Sequence, residues 1–390
     1  MTIPVLWLCG PPGVGKTTVA WELFGQLTAA GVRTGYVDID QLGICYLPPS
    51  AGDEYPEPAA DPGRHRLKTR NLGAVVRNFH AAGARCVIVS GVVDATHGVH
   101  IDQLTGAALT VCRLRADRDE LRRRLIGRRR QWDPIDAGLA EADLLDRTGF
   151  ADLVVDTTGR SVADVVRVLR AQTVLIGDPS PRPDAGQPVR VPVEILWLCG
   201  VTGVGKSTVG WQVWDGIRRD GTPAGFVDLD QIGYLRPADS PSPADSPGPA
   251  GTPGPVDHDV RARNLAAIWE TYHANGAQRL VVVGPLDRAE DVRPYRDALP
   301  AAALTVCRLH AGSDELTRRI LSRGQGGGPD VPGDWLRGRP EAFLRDVAAA
   351  AASSADALDR AAVGDLRLDT DGRSADDAAR AVRTMIKASL

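Results

Sequence analysis

Two stretches of this chain have the residue types and spacing to hold a chain of phosphates. Gly10-Pro11-Pro12-Gly13-Val14-Gly15-Lys16-Thr17 fits the pattern G-x-x-x-x-G-K-[ST], and Gly200 to Ser207 fits it again. In such a loop the glycines let successive backbone N–H groups face a β-phosphate, the lysine bridges the β- and γ-oxygens, and the following hydroxyl ligates magnesium. The expected nucleotide-binding residues are Gly10, Gly13, Val14, Gly15, Lys16, Thr17 and Thr18, matched by Gly200, Gly203, Val204, Gly205, Lys206, Ser207 and Thr208. The chain has only four lysines, at positions 16, 68, 206 and 387, so two of the four stand at the phosphate-binding place. A compact ammonium on a flexible stem suits that cradle and a planar guanidinium does not.

A second constellation is acidic. Asp38-x-Asp40 returns as Asp228-x-Asp230, each at the end of an apolar run. Period-two spacing would put both side chains on one face at the C-terminal edge of a sheet, where such folds bind ligands. Asp40 and Asp230 are expected as the bases that take a hydroxyl proton, with Asp38 and Asp228 supporting them and holding magnesium together with Thr17 and Ser207. A solvated strand end or helix cap is the plainer alternative.

Basic residues follow. His65-x-x-Lys68-x-Arg70-Asn71 and His258-x-x-Arg261-x-Arg263-Asn264 open a helical pattern, so Asp38, Asp228, Lys68, Arg70, Arg261 and Arg263 form the expected grip on an anionic or hydroxylated acceptor. Farther on, Arg124 with Arg128, and Arg319 with Arg323, share an i,i+4 face and are expected to fold over the phosphates as a catalytic lid. A solvated basic face is the alternative for both sets. No carboxylate pair closes the third strand, at Ser90-Gly91 or Val283-Gly284, and no N-K-x-D motif is present, which argues against a motor ATPase or a GTPase switch.

These residues need elements to hold them. Val5 to Cys9, Thr34 to Ile39, Cys86 to Ser90, Leu109 to Leu114 and Leu153 to Asp156 read as strands, with helices opening near Lys16, Leu67, Asp117 and Val162. Continuous apolar strands imply burial on both faces, hence a parallel sheet between helices: a three-layer α/β/α domain. The pattern occurs twice. LWLCGPPGVGKTTVAW answers LWLCGVTGVGKSTVGW, GYVDIDQLG answers GFVDLDQIG, and LTVCRLRADRDELRRRL answers LTVCRLHAGSDELTRRI, in the same order. The expected organisation is tandem: residues 1–177, a proline-rich linker at 178–191, and residues 192–390, with an intramolecular pseudo-dimer of the halves open to them. The tracts Pro48 to Pro62 and Pro237 to Pro255 follow corresponding positions but differ in length and composition.

A formal net charge of -3 gives no field for nucleic acid or an anionic membrane, and no apolar run approaches a membrane span. The start of the chain has neither a basic n-region nor a cleavage site, so a cytoplasmic protein is expected. The six cysteines have neither disulfide nor zinc spacing and read as buried free thiols.

Together these motifs resemble the small-molecule P-loop kinases, a group that includes shikimate, gluconate, adenylylsulfate and nucleoside monophosphate kinases and chloramphenicol phosphotransferase. The resemblance covers each half almost end to end and implies two P-loop NTPase domains of the nucleoside-monophosphate-kinase type that use ATP and Mg2+. It implies an aspartate after the second strand as base or metal ligand, here Asp40 and Asp230, and lid arginines, here Arg124, Arg128, Arg319 and Arg323. It also places Thr157 to Arg160 and Thr370 to Arg373 beside the adenine. The expected activity is transfer of the γ-phosphoryl group to a hydroxyl of a small metabolite or antibiotic. A nucleotide kinase acting on a phosphate, and an ATP-binding regulatory protein with one or both halves inactive, are the alternatives.

Overall fold

The computed structural model describes residues 2–59, 62–127, 135–177, 186–236, 257–327 and 334–389. In chain order its first half contains β1 (Ile3–Cys9), α1 (Lys16–Ala29), β2 (Thr34–Asp38), β3 (Cys45–Tyr46), α2 (His65–Ala81), β4 (Cys86–Ser90), β5 (Ala107–Arg115), α3 (Arg118–Gly127), α4 (Ile135–Leu145), β6 (Leu153–Asp156) and α5 (Val162–Gln172). The second half adds β7 (Val193–Cys199), α6 (Lys206–Arg219), β8 (Ala224–Asp228), β9 (Tyr234–Arg236), α7 (His258–Ala274), β10 (Arg279–Val283), α8 (Arg293–Ala298), β11 (Ala302–His310), α9 (Ser313–Gly324), α10 (Glu341–Arg360), β12 (Leu366–Asp369) and α11 (Ala375–Ser389).

The chain divides into two units. Unit 1 comprises Met1–Gly43, Asp61–Ala185 and Tyr234–Ser240; unit 2 comprises Ile44–Ala60, Gly186–Gly233 and Pro241–Leu390. Unit 1 holds a sheet of order β6-β5-β1-β4-β2-β9 and unit 2 one of order β12-β11-β7-β10-β8-β3. All neighbours are parallel except the last pair in each sheet, β2 with β9 and β8 with β3, which are antiparallel.

The strand sequences explain the layers. Along β2 and β4 every residue is buried, as expected of strands covered on both faces. Adjacent residues of β2 show the two covers: Tyr36 meets Phe24 of α1 on one face, while Gly35, on the other, lies so close to Phe79 of α2 that an added Cβ would come within 2.5 Å of its ring. Unit 2 repeats this, with Phe226 against Trp211 of α6 and Gly225 under Tyr272 of α7. A sheet between helices on either side is the three-layer α/β architecture read from the sequence. All six cysteines are free and buried. No helix among the described residues is long and apolar enough to cross a membrane.

Candidate functional site

The C-terminal end of β1 runs straight into the glycine loop, and the first residue of α1 is Lys16. Gly10, Gly13 and Gly15 have φ of 138, 81 and 98°, and Gly200, Gly203 and Gly205 have 132, 83 and 100°. L side chains rarely adopt such values, so the glycines are what allow the loop to curl around its own N–H groups at a helix N-terminus. At Gly10 a Cβ would also come within 2.4 Å of the Leu114 carbonyl oxygen. Lys16 Nζ donates to the carbonyls of Gly10 and Pro11 at 2.7 and 3.0 Å, and Lys206 Nζ to that of Val201 at 3.0 Å. Both ammonium groups therefore lie over the loop. Thr17 and Ser207 are half-buried one residue farther on, and Thr18 and Thr208 are exposed.

The acidic pair stands beside this cradle, but its geometry departs from the strand-period expectation. Asp38 is the last residue of β2, while Asp40 is the second residue of a 3-10 turn at Ile39–Leu42 that Asp38 caps: Asp40 N donates to Asp38 Oδ1 at 3.0 Å. The repeat preserves the cap, with Asp230 N on Asp228 Oδ1 at 3.0 Å. Aspartate competes for local N–H groups and so ends strands readily; the pair converges through a cap and a turn instead of a common strand face.

The four carboxylates do not share one environment. Burial, reinforced by the charge of Asp40, lifts the carboxyl of Asp38 well above its ordinary range. Burial, reinforced by Asp230, does the same to Asp228. At Asp40 burial also acts upward, but the ammonium of Lys68, whose Nζ donates to Asp40 Oδ1 at 2.7 Å, outweighs it and holds the carboxyl below the ordinary range. Asp230 has Arg261 in that place, Nη2 to Oδ1 at 2.9 Å. Lys68 and Arg261 have side chains only 9 and 8% exposed, whereas Asp40 and Asp230 are 51 and 44% exposed, so each cation is a fixed post and each carboxylate reaches solvent. Burial lowers the pKa of Lys206, with Asp230 and then Asp228 pulling it back up, which puts lysine and both acids within one electrostatic neighbourhood.

The donor set suits a hard cation. Ser207 Oγ donates to Asp228 Oδ2 at 2.9 Å, bringing a hydroxyl and a carboxylate oxygen together beside the loop, and Mg2+ takes few protein ligands when phosphates and waters supply the rest. Among the described residues no cluster of three or more His, Cys, Asp or Glu is arranged to hold a metal alone.

Other expected residues are placed as follows. Arg70 is exposed on α2 and Arg263 half-buried on α7, neither joining the Asp40 or Asp230 pair. Arg124 donates to the Val14 carbonyl at 3.3 Å, to Thr157 Oγ1 at 3.0 Å and to the Thr157 carbonyl at 3.0 Å. Arg319 repeats this with Val204 at 2.9 Å and Thr370 at 3.0 and 2.9 Å. These two side chains tie the glycine loop to the segment after the last strand, 157–160 or 370–373, and spend their donors on the protein in doing so. Arg323 pairs with Asp334 at 3.0 Å and acts electrostatically on Lys206. Arg128 lies outside the described residues. In unit 2 a shallow depression lined by Gly312, Ser313, Glu315 and Asp371 opens beside the 370–373 segment.

Sequence reasoning gave no role of their own to Asn71 and Asn264. Their buried amides donate to the carbonyls of Leu42 and Ile232 at 2.8 and 2.7 Å, fastening α2 and α7 to the turns that carry Asp40 and Asp230. Their signal was the recurrence of Arg-Asn in both helices. Glu120 and Glu315, which hold Arg124 and Arg319 at 2.7 Å, were likewise visible as i,i+4 partners.

Residues 5–148 match the model of a P-loop family described as an AAA domain. No curated protein sequence matches the chain. Among solved structures, the tunicamycin resistance protein of Deinococcus radiodurans is 21% identical, covering 45% of this chain and 99% of that one at a TM-score of 0.33. A gluconokinase from Sinorhizobium meliloti 1021 is 20% identical, covering 42% and 87% at 0.29. The Mycobacterium tuberculosis APS kinase, solved with AMPPNP and APS, is 21% identical, covering 51% and 99% at 0.30.

Proposed function

We infer that this protein is an ATP-dependent phosphotransferase with one site in each half of its repeat, passing the γ-phosphoryl group to a hydroxyl of a small molecule. The observation that carries the reading is the association, in both units, of a P-loop lysine with a capped aspartate pair whose outer member is ion-paired and open to solvent. A glycine turn that served only to reverse the chain would need neither the lysine nor the acids.

Lys16 and Lys206 neutralise and orient the phosphates of ATP, with the loop N–H groups. Thr17 with Asp38, and Ser207 with Asp228, would hold Mg2+, which would supply further positive charge at the phosphates. Asp40 and Asp230 accept the hydrogen bond of the attacking hydroxyl and, as the new P–O bond forms and the bond to ADP breaks, its proton. Lys68 keeps Asp40 ionised and fixed in direction, which matters more than high basicity where the transition state is loose. The carboxylate is what favours a hydroxyl acceptor, since a phosphate acceptor needs little deprotonation.

Labelled ATP incubated with pools of hydroxylated metabolites tests this. A phosphorylated product that depends on the acceptor and is lost in Asp40→Asn with Asp230→Asn supports it. Slow hydrolysis indifferent to every acceptor points instead to a regulatory ATP-binding protein, and product from nucleoside monophosphates alone to a nucleotide kinase.

A further inference from the structure

The edge strand of each sheet comes from the wrong half of the repeat. Unit 1 is completed by β9, which follows Asp228-x-Asp230-Gln-Ile-Gly in the C-terminal half; unit 2 is completed by β3, which follows Asp38-x-Asp40-Gln-Leu-Gly in the N-terminal half. The segments occupy equivalent places in the repeat, and each leaves the strand that precedes it, β2 or β8, to join the equivalent strand of the other sheet.

Both are anchored. In unit 1, β9 runs antiparallel to β2 with Tyr36 opposite Tyr234, Gly35 opposite Leu235 and Thr34 opposite Arg236. Tyr234 enters an aromatic cluster with Trp21 and Tyr36 at ring separations of 5.0 and 5.8 Å, and Leu235 is 8% exposed. In unit 2, Phe226 N donates to the Ile44 carbonyl at 2.9 Å, and Cys45 and Tyr46 stand opposite Gly225 and Ala224. Behind them Arg218, with no exposed surface, donates to the carbonyls of Leu47 and Glu54 at 2.8 and 3.0 Å and lies 4.7 Å from the ring centres of Tyr55 and Trp214. Nη1 of this buried guanidinium is given to carbonyls of the incoming segment while Nη2 pairs with Asp215 of its own helix, so the segment both covers the arginine and takes its outward donors.

We propose that the two halves are an obligate exchanged pair: each sheet edge is a docking site for the strand of the opposite half, as in a strand-swapped homodimer whose subunits have become one chain. The exchange covers the outer sides of the longer strands β2 and β8 with short strands, a known way to blunt open edges, and its reciprocity matches the closed two-fold pairing of identical subunits. The partner of each edge is therefore a repeat-equivalent segment of this same chain. None of this depends on the phosphotransfer reading.

The test uses the full chain with a specific protease sequence placed within 178–185 and cut after folding. In wild-type background the two fragments should stay together as one species with the mass of the intact chain on native size-exclusion with light scattering. In Tyr36→Cys/Tyr234→Cys, whose Cα positions face across an antiparallel pair and so lie within disulfide reach, oxidation should join the cut fragments covalently on a non-reducing gel. In Tyr36→Cys/Ile44→Cys, the arrangement without exchange, no bond should form. Separation of the cut wild-type chain into two folded monomers overturns the proposal. So does a bond between 36 and 44, or co-migration of fragments that 36 and 234 fail to link.

Discussion

The two units agree where phosphate would lie and differ where an acceptor would. The glycines of the two loops match to within a few degrees of φ, the acids cap their turns at the same 3.0 Å, and Arg124 and Arg319 make the same three bonds to corresponding atoms. The cation that fixes the outer aspartate, however, is a lysine in one and an arginine in the other. An ammonium spends itself as a point charge, whereas a guanidinium that gives Nη2 to Asp230 retains three further N–H groups on its other two nitrogens in a rigid fork. Nε and Nη1 of Arg261 are buried without a hydrogen-bond partner. If the proposed phosphotransfer holds, this contrast favours one reaction with divergent acceptors, and that reading is open to attack at several points.

The largest effect falls on the part that is the same. Lys16→Ala and Lys206→Ala should each lower transfer by their own unit about 10²–10³-fold, the scale of one lost transition-state donor, with the double variant inactive in ADP release. Equality of the two losses sharpens the comparison; a single variant that removes all turnover breaks it. Next, Asp40→Asn and Asp230→Asn should each cut transfer by roughly 10² or more while leaving nucleotide affinity intact, as read by kcat beside a direct binding titration.

The fold itself was legible to the extent that its elements carry their own pattern. IPVLWLC and CVIVS are uninterrupted apolar runs, so their burial on both faces followed from composition, and the glycine loops announced both the end of β1 and the start of α1. Strands of two and three residues such as β3 and β9 carry no period to detect, and their partners lie in the opposite half of the sequence, so the exchange was hidden. At the site, residue types and neighbourhood were readable, yet Asp40 was assigned to a strand face when a side-chain cap had already turned the chain. Arg124 shows the other limit: its spacing to Arg128 marked a helix face, but nothing in spacing tells that its guanidinium would end on backbone carbonyls.

Smaller effects probe the braces and the contrast itself. Arg124→Ala and Arg319→Ala each remove a charged donor from a protein carbonyl and a threonine, and should lower stability by about 1.5–3 kcal/mol in denaturant unfolding, by similar amounts in the two units. Lys68→Arg should raise the acceptor KM of unit 1 about tenfold, equivalent to about 1.4 kcal/mol, with little change in kcat, because a planar guanidinium fork does not hold Asp40 as the compact ammonium does at 2.7 Å. An unchanged KM would mean that the cation's identity does not set the acceptor. Smallest is a pH effect confined to unit 2. Burial lowers the pKa of His258, which faces the Tyr295 hydroxyl at 3.1 Å and Asp291 at 3.7 Å with Arg261 nearby. Below the ordinary histidine range the unfolded chain therefore binds a proton that the folded one resists, and stability falls as pH falls. His258→Gln should shrink the loss of Tm between pH 7.5 and 5.5 by a degree or two on the scale of such domains.

The central claim is that both loops are working phosphate sites, and counting bound nucleotide tests it most directly. Calorimetric titration of the full chain with a non-hydrolysable ATP analogue and Mg2+ should give two equivalents per chain, falling to one in either Lys16→Ala or Lys206→Ala. One equivalent in the wild-type chain, or two retained when either lysine is removed, would contradict it.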